Sequence, residues 1–222
     1  MPEARPIAPR TLIACLAAAS LFLAAQAGRA MDGEAVFETV RGWILEHPSL
    51  EAPFVQVNRW TGWSDAEPDT ARGVLHLERP CCFRLDYTDP PGHEVVCDGE
   101  TLWTYVPDLE QVIRTPVPEA GVGAGDLFLW LLRSARPDTT AIAEEPPIFR
   151  LGVEPPDDIG WRWLQIRVDM DSGSIAGYAY EDLQGNQTSF TFLEFTSVGR
   201  RGRESFRFRP PPGVAVEVVD AP

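Results

Sequence analysis

The fold is decided by residues 82–116, CFRLDYTDPPGHEVVCDGETLWTYVPDLEQVIRTP, in which apolar and polar side chains alternate in short runs. A period of two is that of a β-strand with one buried face. The turn sequences Asp89-Pro90-Pro91-Gly92 and Asp98-Gly99 separate the first three runs. The runs that we interpret as strands are 82–88, 93–98, 101–106 and 111–116. This stretch therefore predicts consecutive β-strands joined by short turns.

Similar alternating runs flank this stretch on both sides. Two precede it, at 53–62 and 72–79. The runs that follow it are 148–153, 161–168, 174–182, 187–196, 204–209 and a last short one at 214–219. About eleven antiparallel strands with so few helices must curl on themselves to hide an apolar face. The sequence thus predicts a mainly β protein.

Residues 32–46 have the period of an amphipathic helix. Val40, Trp43 and Ile44 belong to its broad apolar face, and His47-Pro48 ends the segment. We expect this first helix to pack its apolar face on the concave side of the sheet.

A second helix is predicted at 127–135. Its residues are apolar on nearly every side, Leu129 and Leu132 included, which is typical of a helix that is buried or covers something buried. A glycine-rich segment, 121–125, precedes it and favours a hinge. A permanently packed core helix and a movable lid both fit this pattern, and the hinge favours the lid.

Residues 1–30 have the layout of a signal peptide. Arg5 and Arg10 precede an uncharged apolar run, and small residues then offer cleavage sites near 27 or 30. Cys15 lies early in the apolar run, so we interpret it as an ordinary signal-peptide residue and not as a lipidation site. We therefore expect export from the cytoplasm, with residues 31–222 forming a single domain.

Composition and motifs exclude several classes of function. The chain has 33 acidic and 19 basic residues, a formal net charge of −14, which disfavours binding to nucleic acid or to anionic membranes. No G-x-S-x-G motif occurs, and the glycine-rich segment lacks the Lys-Ser/Thr of a phosphate-binding loop. No catalytic set can be assembled, so we expect neither an enzyme nor a bound cofactor.

Three cysteines, Cys81, Cys82 and Cys97, follow the predicted signal peptide. Cys97 could form a disulfide with either of the other two across neighbouring strands. Two buried thiols and one exposed thiol are an equally good interpretation. A metal site is disfavoured, since no histidine or second cysteine pair stands at ligand spacing.

Arg79 is the one charged residue whose position in the pattern is unusual. Alternation along 73–79 places Leu75, Leu77 and Arg79 on one face of the strand, which predicts that Arg79 points toward the apolar interior. The alternative is an arginine at a strand end that extends to water along its apolar neighbours. If Arg79 is buried, its donors need acceptors, and the carbonyl groups of a loop or helix end are candidates.

Several stretches in the same order resemble the LolA family of outer-membrane lipoprotein carriers. The resemblance begins at the first helix and continues over nearly all of 31–222. The stretches that carry it are Phe54-Val-Gln56, Gly73-Val-Leu-His-Leu-Glu-Arg-Pro80, Phe83-Arg-Leu-Asp-Tyr87, residues 96–112, Asp182-Leu-Gln-Gly-Asn-Gln-Thr188 and residues 206–214. The most specific of these is VCDGETLWTYVPDLEQV at 96–112.

The resemblance implies an incomplete antiparallel β-barrel with a lid of short α-helices over a hydrophobic cavity. It implies a periplasmic carrier, expected to be a monomer, that binds the acyl chains of lipoproteins. Its implied partners are an inner-membrane ABC transporter that releases lipoproteins and an outer-membrane acceptor. It also implies that Arg79, in the family's Arg-Pro motif with Pro80, bonds the lid and couples its opening to transfer.

The residues that we expect to form the acyl-chain cavity and lid come from the first helix, the strands and the second helix. They are Val40, Trp43, Ile44, Leu75, Leu77, Arg79, Pro80, Phe83, Trp103, Tyr105, Leu129 and Leu132. Two alternative functions stay open: a carrier of a glycolipid or other envelope lipid, and a lipoprotein-sensing regulator built on the same domain.

Overall fold

The computed structural model describes residues 32–62, 67–117, 127, 131, 138–154 and 161–219. The predicted signal peptide, the glycine-rich segment and most of the predicted second helix, with Leu129 and Leu132, lie outside the described residues.

The first helix, α1, spans Gly33–Glu46, close to its predicted bounds. Asp32 caps it, because its carboxylate accepts a hydrogen bond from the Glu34 N–H at 3.1 Å. Its apolar face is buried on the sheet, through Val36, Phe37, Val40 and Ile44. The helix ends at Glu46, and His47 takes an extended conformation, as expected for a residue before proline.

Thirteen strands are found among the described residues, and the prediction of a mainly β fold is confirmed. The first seven are β1 (Ser49–Arg59), β2 (Asp69–Glu78), β3 (Cys82–Asp89), β4 (Pro91–Cys97), β5 (Thr101–Val106), β6 (Gln111–Pro116) and β7 (Thr139–Ala143). The remaining six are β8 (Ile148–Val153), β9 (Trp161–Asp169), β10 (Ile175–Asp182), β11 (Gln187–Phe192), β12 (Thr196–Ser197) and β13 (Ala215–Val218).

The strands form one sheet in the order β13-β6-β5-β4-β3-β2-β1-β11-β10-β9-β8-β7, with the short β12 also pairing with β1. All neighbouring strands are antiparallel except β13, which runs parallel to β6. In the part of the chain that the structure describes, the edge strands β13 and β7 do not pair with each other, so the sheet is curved but open. This confirms the expected incomplete barrel.

The clearest differences between the predicted and the observed strands concern three segments. Residues 204–209 do not form a strand: Arg203–Phe206 is a 3₁₀ turn, and the alternation there places Phe206 and Phe208 against the sheet. The predicted strand 187–196 ends at Phe192, and Thr196–Ser197 pairs separately with β1. An unpredicted edge strand, β7, lies in the proline-rich segment, where neighbouring prolines obscured its alternation.

The two faces of the sheet differ in chemistry. The inner face carries α1 and the apolar core, and its rows cross the strands in register, for example Leu50, Leu77, Phe83, Cys97 and Leu102. The outer face of β1–β4 carries a row of charges, in which Arg84 binds Asp86 at 2.6 Å and Glu94 at 2.7 Å. Burial alone would raise the pKa of Asp86, but hydrogen bonds and charge from His76 and Arg84 outweigh it and lower that pKa.

Residues 196–219, which we call the strap, cross the outer face and end as β13. Glu78, at 8% exposure, accepts hydrogen bonds from the N–H groups of Arg201 (2.7 Å) and Gly202 (3.3 Å). Further along, Phe206 is buried against Cys82 and Val96. The strap is therefore fixed to the sheet by a carboxylate at one point and by an aromatic side chain at the next.

Replacing Glu78 by leucine is expected to lower the free energy of unfolding by about 1–3 kcal/mol, because two strap N–H groups lose their acceptor. Glu78→Gln keeps one acceptor oxygen and should lose less. Urea unfolding measures both. The matched control is Glu204→Ala, since Glu204 is 72% exposed and, among the described residues, forms an ion pair only with Arg207. Equal losses for Glu78→Leu and Glu204→Ala would contradict the role given to Glu78.

Candidate functional site

The inner face and α1 enclose an apolar interior. Five of the residues expected there, Val40, Ile44, Leu75, Leu77 and Phe83, are buried in one cluster, and Trp43 packs against its side. Leu127 and Leu131, from the predicted second helix, are helical and fully buried in the same cluster. In the helix predicted from the sequence, residues four apart would lie on one face. The interior is thus filled by the protein's own side chains, some of them contributed by the predicted lid.

Trp103 and Tyr105 do not lie in this interior, which differs from the sequence-based expectation. In β5, Leu102 faces the core, so its alternating neighbours Trp103 and Tyr105 face outward. There the strap covers them, with Phe208 at ring distances of 5.7 Å and 6.1 Å. Tyr105 also lines the cleft of about 440 Å³ described below. Alternation defines two faces but not which one is inside.

Arg79 lies at the end of β2, beside the last turn of α1, and is half-buried. Its backbone N–H donates to the Pro48 carbonyl at 3.0 Å, and its side-chain Nε donates to the His47 carbonyl at 3.3 Å. His47 is the C-terminal cap of α1, where unpaired carbonyl groups give the helix a partial negative charge. The Arg79 guanidinium therefore joins the end of the helix to the sheet. Pro80, the next residue, is exposed in the turn after β2.

A cleft of about 440 Å³ adjoins the apolar interior at the opposite end of β2. Its floor includes Ala71, Val95 and the ring of Tyr87, and the last two also pack against the core cluster. Its polar lining includes Gln56 and Asn58, which follow Phe54 on the inward face of β1. Sequence reasoning placed Gln56 in a family motif but gave it no role. The sequence did contain a signal of a polar site, because two amide side chains lie on the apolar face of a strand.

The hydroxyl of Tyr87 donates a hydrogen bond to Gln56 Oε1 at 2.6 Å. Burial, with a smaller effect from Tyr180, raises the pKa of Tyr87 well above its ordinary value. Tyr87 therefore keeps its proton at any physiological pH and acts as a fixed donor that orients the Gln56 amide.

All three cysteines are thiols in the structure, which answers the disulfide question that the sequence left open. The Sγ atoms of Cys81 and Cys82 are 3.5 Å apart, and Cys97 Sγ donates to the Cys81 carbonyl at 3.5 Å. Burial, helped by the contact with Cys81, raises the pKa of Cys82 from 9.0 to about 12, although Arg203 opposes the shift.

We expect alkylation of Cys82 by iodoacetamide at pH 9 to be at least ~100-fold slower in the folded protein than in the denatured chain. A thiol with a pKa of about 12 is about one part in a thousand thiolate at pH 9, whereas an ordinary thiol is about half ionised. The raised pKa also makes the folded state lose stability as the pH rises from about 9 toward 12. Peptide mass spectrometry measures alkylation. Equal rates for folded and denatured protein would contradict the burial of this thiol.

Among the described residues, no three His, Cys, Asp or Glu side chains lie close enough together to hold a metal ion. None of the helices that the structure describes is long and apolar enough to cross a membrane.

The open sheet and its interior define a class of mainly β proteins, in which a curved antiparallel sheet wraps its apolar face around a helix. A solved structure of an uncharacterized conserved protein from Thermus thermophilus has this fold: its TM-score is 0.52, with 12% identity over 83% of this chain and 98% of that one. The chain belongs to the LolA family, because the family model described as outer membrane lipoprotein carrier protein LolA matches residues 47–209. The resemblance seen in the sequence is thereby confirmed.

Curated relatives agree with this assignment over nearly their full length. A protein of Neisseria meningitidis serogroup B is 29% identical over 94% of this chain and 97% of its own length. One from Methylibium petroleiphilum is 29% identical over 89% of this chain and 95% of its own. Both relatives are named outer-membrane lipoprotein carrier protein.

Proposed function

We propose that this protein is a periplasmic carrier that holds the acyl chains of lipoproteins in its apolar interior and moves them from the inner to the outer membrane. The observation that carries the proposal is an interior formed jointly by α1, the inner face of the sheet and the buried Leu127 and Leu131. Membership of the LolA family and the names of the relatives support it. The proposed function is the transport of bound cargo and involves no covalent chemistry.

The proposal includes a route and partners. Residues 1–30 would direct export and be removed, leaving 31–222 as a single soluble domain that acts as a monomer. Cargo would arrive from an inner-membrane ABC transporter and leave to an outer-membrane acceptor. The full chain carries a net charge of −14, and such an excess of acidic residues disfavours adsorption to anionic membranes between these two encounters.

The energetics of acyl burial require that something opposes binding. Burial yields roughly 0.8 kcal/mol per CH₂, so one chain of about 16 carbons could approach 12 kcal/mol, too much for ready release. In the described structure Leu127 and Leu131 already occupy the core. A chain that displaces them gains only the difference between its own burial and theirs. The filled interior thereby lowers the affinity into a range that allows transfer.

The direct test is to purify the protein from its native envelope and identify the bound molecule by mass spectrometry. Triacylated lipopeptide supports the proposal. Glycolipid would favour the alternative carrier, for which the described structure offers no specific observation. An interior that is reproducibly empty would contradict both.

A further inference from the structure

We propose that the cleft beside Gln56 and Asn58 holds the carbonyl groups of the ester and amide bonds that attach acyl chains to the cargo. The inference rests on the proposed function and gives it a polar subsite. The apolar interior would take the chains themselves, while the cleft would select the neutral linkage from which they extend.

The polar side chains in and beside the cleft form one connected row. Tyr87 donates to Gln56 Oε1 at 2.6 Å, and Gln56 Nε2 donates to Asn58 Oδ1 at 2.9 Å. Thr188, on β11, also donates to Asn58 Oδ1, at 3.1 Å. The row thus spans three strands, and each hydrogen bond in it fixes the orientation of the next amide.

This direction of bonding leaves more donors than acceptors on the two amides: three N–H groups, against one unused lone pair on Gln56 Oε1. The side-chain oxygens of Gln56 and Asn58 are already engaged. In the part of the chain that the structure describes, the Asn58 Nδ2 group donates to no protein acceptor, and Gln56 Nε2 has one N–H remaining. A ligand that matches the row must therefore supply acceptor oxygens.

The charge of the lining excludes an anionic ligand. No arginine lines the cleft, whereas two carboxylates, Asp69 and Glu94, do. Glu94 is bonded to Arg84 at 2.7 Å, and Asp69 accepts from the Trp60 indole at 2.7 Å. The basic side chain among the described lining residues is His93, whose Nε2 lies 3.6 Å from Asp108. A phosphate or a free fatty-acid carboxylate would therefore meet two carboxylates and no arginine or lysine. A carbonyl oxygen is an acceptor that carries no net charge.

The size and position of the cleft agree with an ester or amide group held where the cleft meets the apolar interior. Its volume of about 440 Å³ lies within the range of roughly 300–1,000 Å³ that is typical of small-molecule sites. Tyr87 and Val95 belong both to the cleft and to the edge of the core. An acyl chain that enters the interior past these residues would leave its carbonyl group beside the amide row.

The test compares two probes with the same chains: 1,2-dipalmitoylglycerol, a diester, and 1,2-dihexadecylglycerol, its diether, which lacks the carbonyl oxygens. Their affinities are measured by displacement of a fluorescent fatty probe from the mature protein. We expect the wild-type protein to bind the diester about tenfold more tightly than the diether, since the two carbonyl groups gain hydrogen bonds.

Gln56→Leu and Asn58→Leu should each weaken binding of the diester and leave binding of the diether unchanged. The two probes would then bind with nearly equal affinity. Tyr87→Phe should lower the preference for the diester in part, because Tyr87 is a positioning residue that orients Gln56. The matched control is Gln187→Leu, an exposed amide outside the cleft lining, which should keep the full preference. Thermal melting checks that each variant is folded.

The outcomes separate the inference from the function on which it rests. Equal binding of diester and diether by the wild-type protein, or an unchanged preference in folded Asn58→Leu, would overturn the carbonyl subsite and leave the carrier proposal standing. Failure of both probes to bind would contradict the carrier proposal and the subsite together.

Discussion

Replacement of Arg79 by leucine is expected to give a protein that still binds acylated cargo but releases it poorly. In the structure the Arg79 guanidinium holds the carbonyl end of α1 against the sheet, through the 3.3 Å hydrogen bond to His47. This contact stabilises the closed, self-filled interior. Leucine has no donor, so the closed state loses that stabilisation. The prediction assumes that the end of α1 moves away from Arg79 when cargo displaces Leu127 and Leu131, so that the cargo-bound state loses none.

A hydrogen bond from a charged donor contributes about 1.5–3 kcal/mol, and Arg79 is only half-buried, so the lower value applies. A loss of about 1.4 kcal/mol from the closed state corresponds to about tenfold tighter cargo binding. Transfer to the acceptor should slow by a comparable factor. Both effects can be measured with a radiolabelled lipoprotein, by its retention on the carrier and by its rate of appearance on the acceptor.

Two variants control for the loss of charge and for the loss of an arginine as such. Arg79→Lys keeps the positive charge but replaces the planar guanidinium with an ammonium group. Its cargo retention and transfer rate should lie between those of the wild-type protein and Arg79→Leu. Arg72→Leu removes an arginine from the same strand whose partner, Asp89, is at the surface, and it should transfer normally. If Arg79→Leu transferred cargo at the wild-type rate, α1 would not be held by this contact during the cycle.

Sequence reasoning located α1, most strands and the mainly β character because each depends on a local period of side chains, whereas the open barrel was implied by the family resemblance. Arg79 itself follows β2 and lies half-buried beside a helix end, whose carbonyl group it binds. What alternation could not supply was the choice of face in β5. That choice depends on Phe208 in the strap, more than a hundred residues away in the chain, which covers the outward aromatic side chains.

The amide row was missed for a different reason. Gln56 and Asn58 follow Phe54 at alternate positions of β1, so all three side chains point inward. Polar side chains that point inward need hydrogen-bond partners. Those partners, Tyr87 and Thr188, come from strands β3 and β11, on either side of β1. A single sequence shows the need for such partners but not their identity, because the strand order that brings them together is long-range.

Phe54→Ala is expected to cause the largest loss of stability among the substitutions considered, about 3–5 kcal/mol. Phe54 is 2% exposed, and its ring packs against Tyr87 at 5.2 Å and Phe190 at 5.6 Å. It also lies over Gly73, where a Cβ atom would be 2.7 Å from the ring, so no neighbouring side chain stands there to fill the gap. Urea unfolding measures the loss. Leu109→Ala, at a position 67% exposed, is the control and should change the free energy of unfolding by less than about 0.5 kcal/mol.

The size of the Phe54→Ala effect also reports on how the interior accommodates cargo. Phe54 belongs to the core cluster, and its ring packs on Tyr87, which lines the cleft, so its removal would open space between the core and Tyr87. If the side chains around Phe54 do not move, the substitution leaves a cavity and the full loss in the free energy of unfolding. A small apolar ligand such as benzene should then bind in the cavity and raise the midpoint of thermal unfolding. A loss below about 1 kcal/mol would mean that the side chains around Phe54 collapse into the space. The interior would then be plastic at this position, and the boundary between chain site and linkage site would have to be set by the amide row alone.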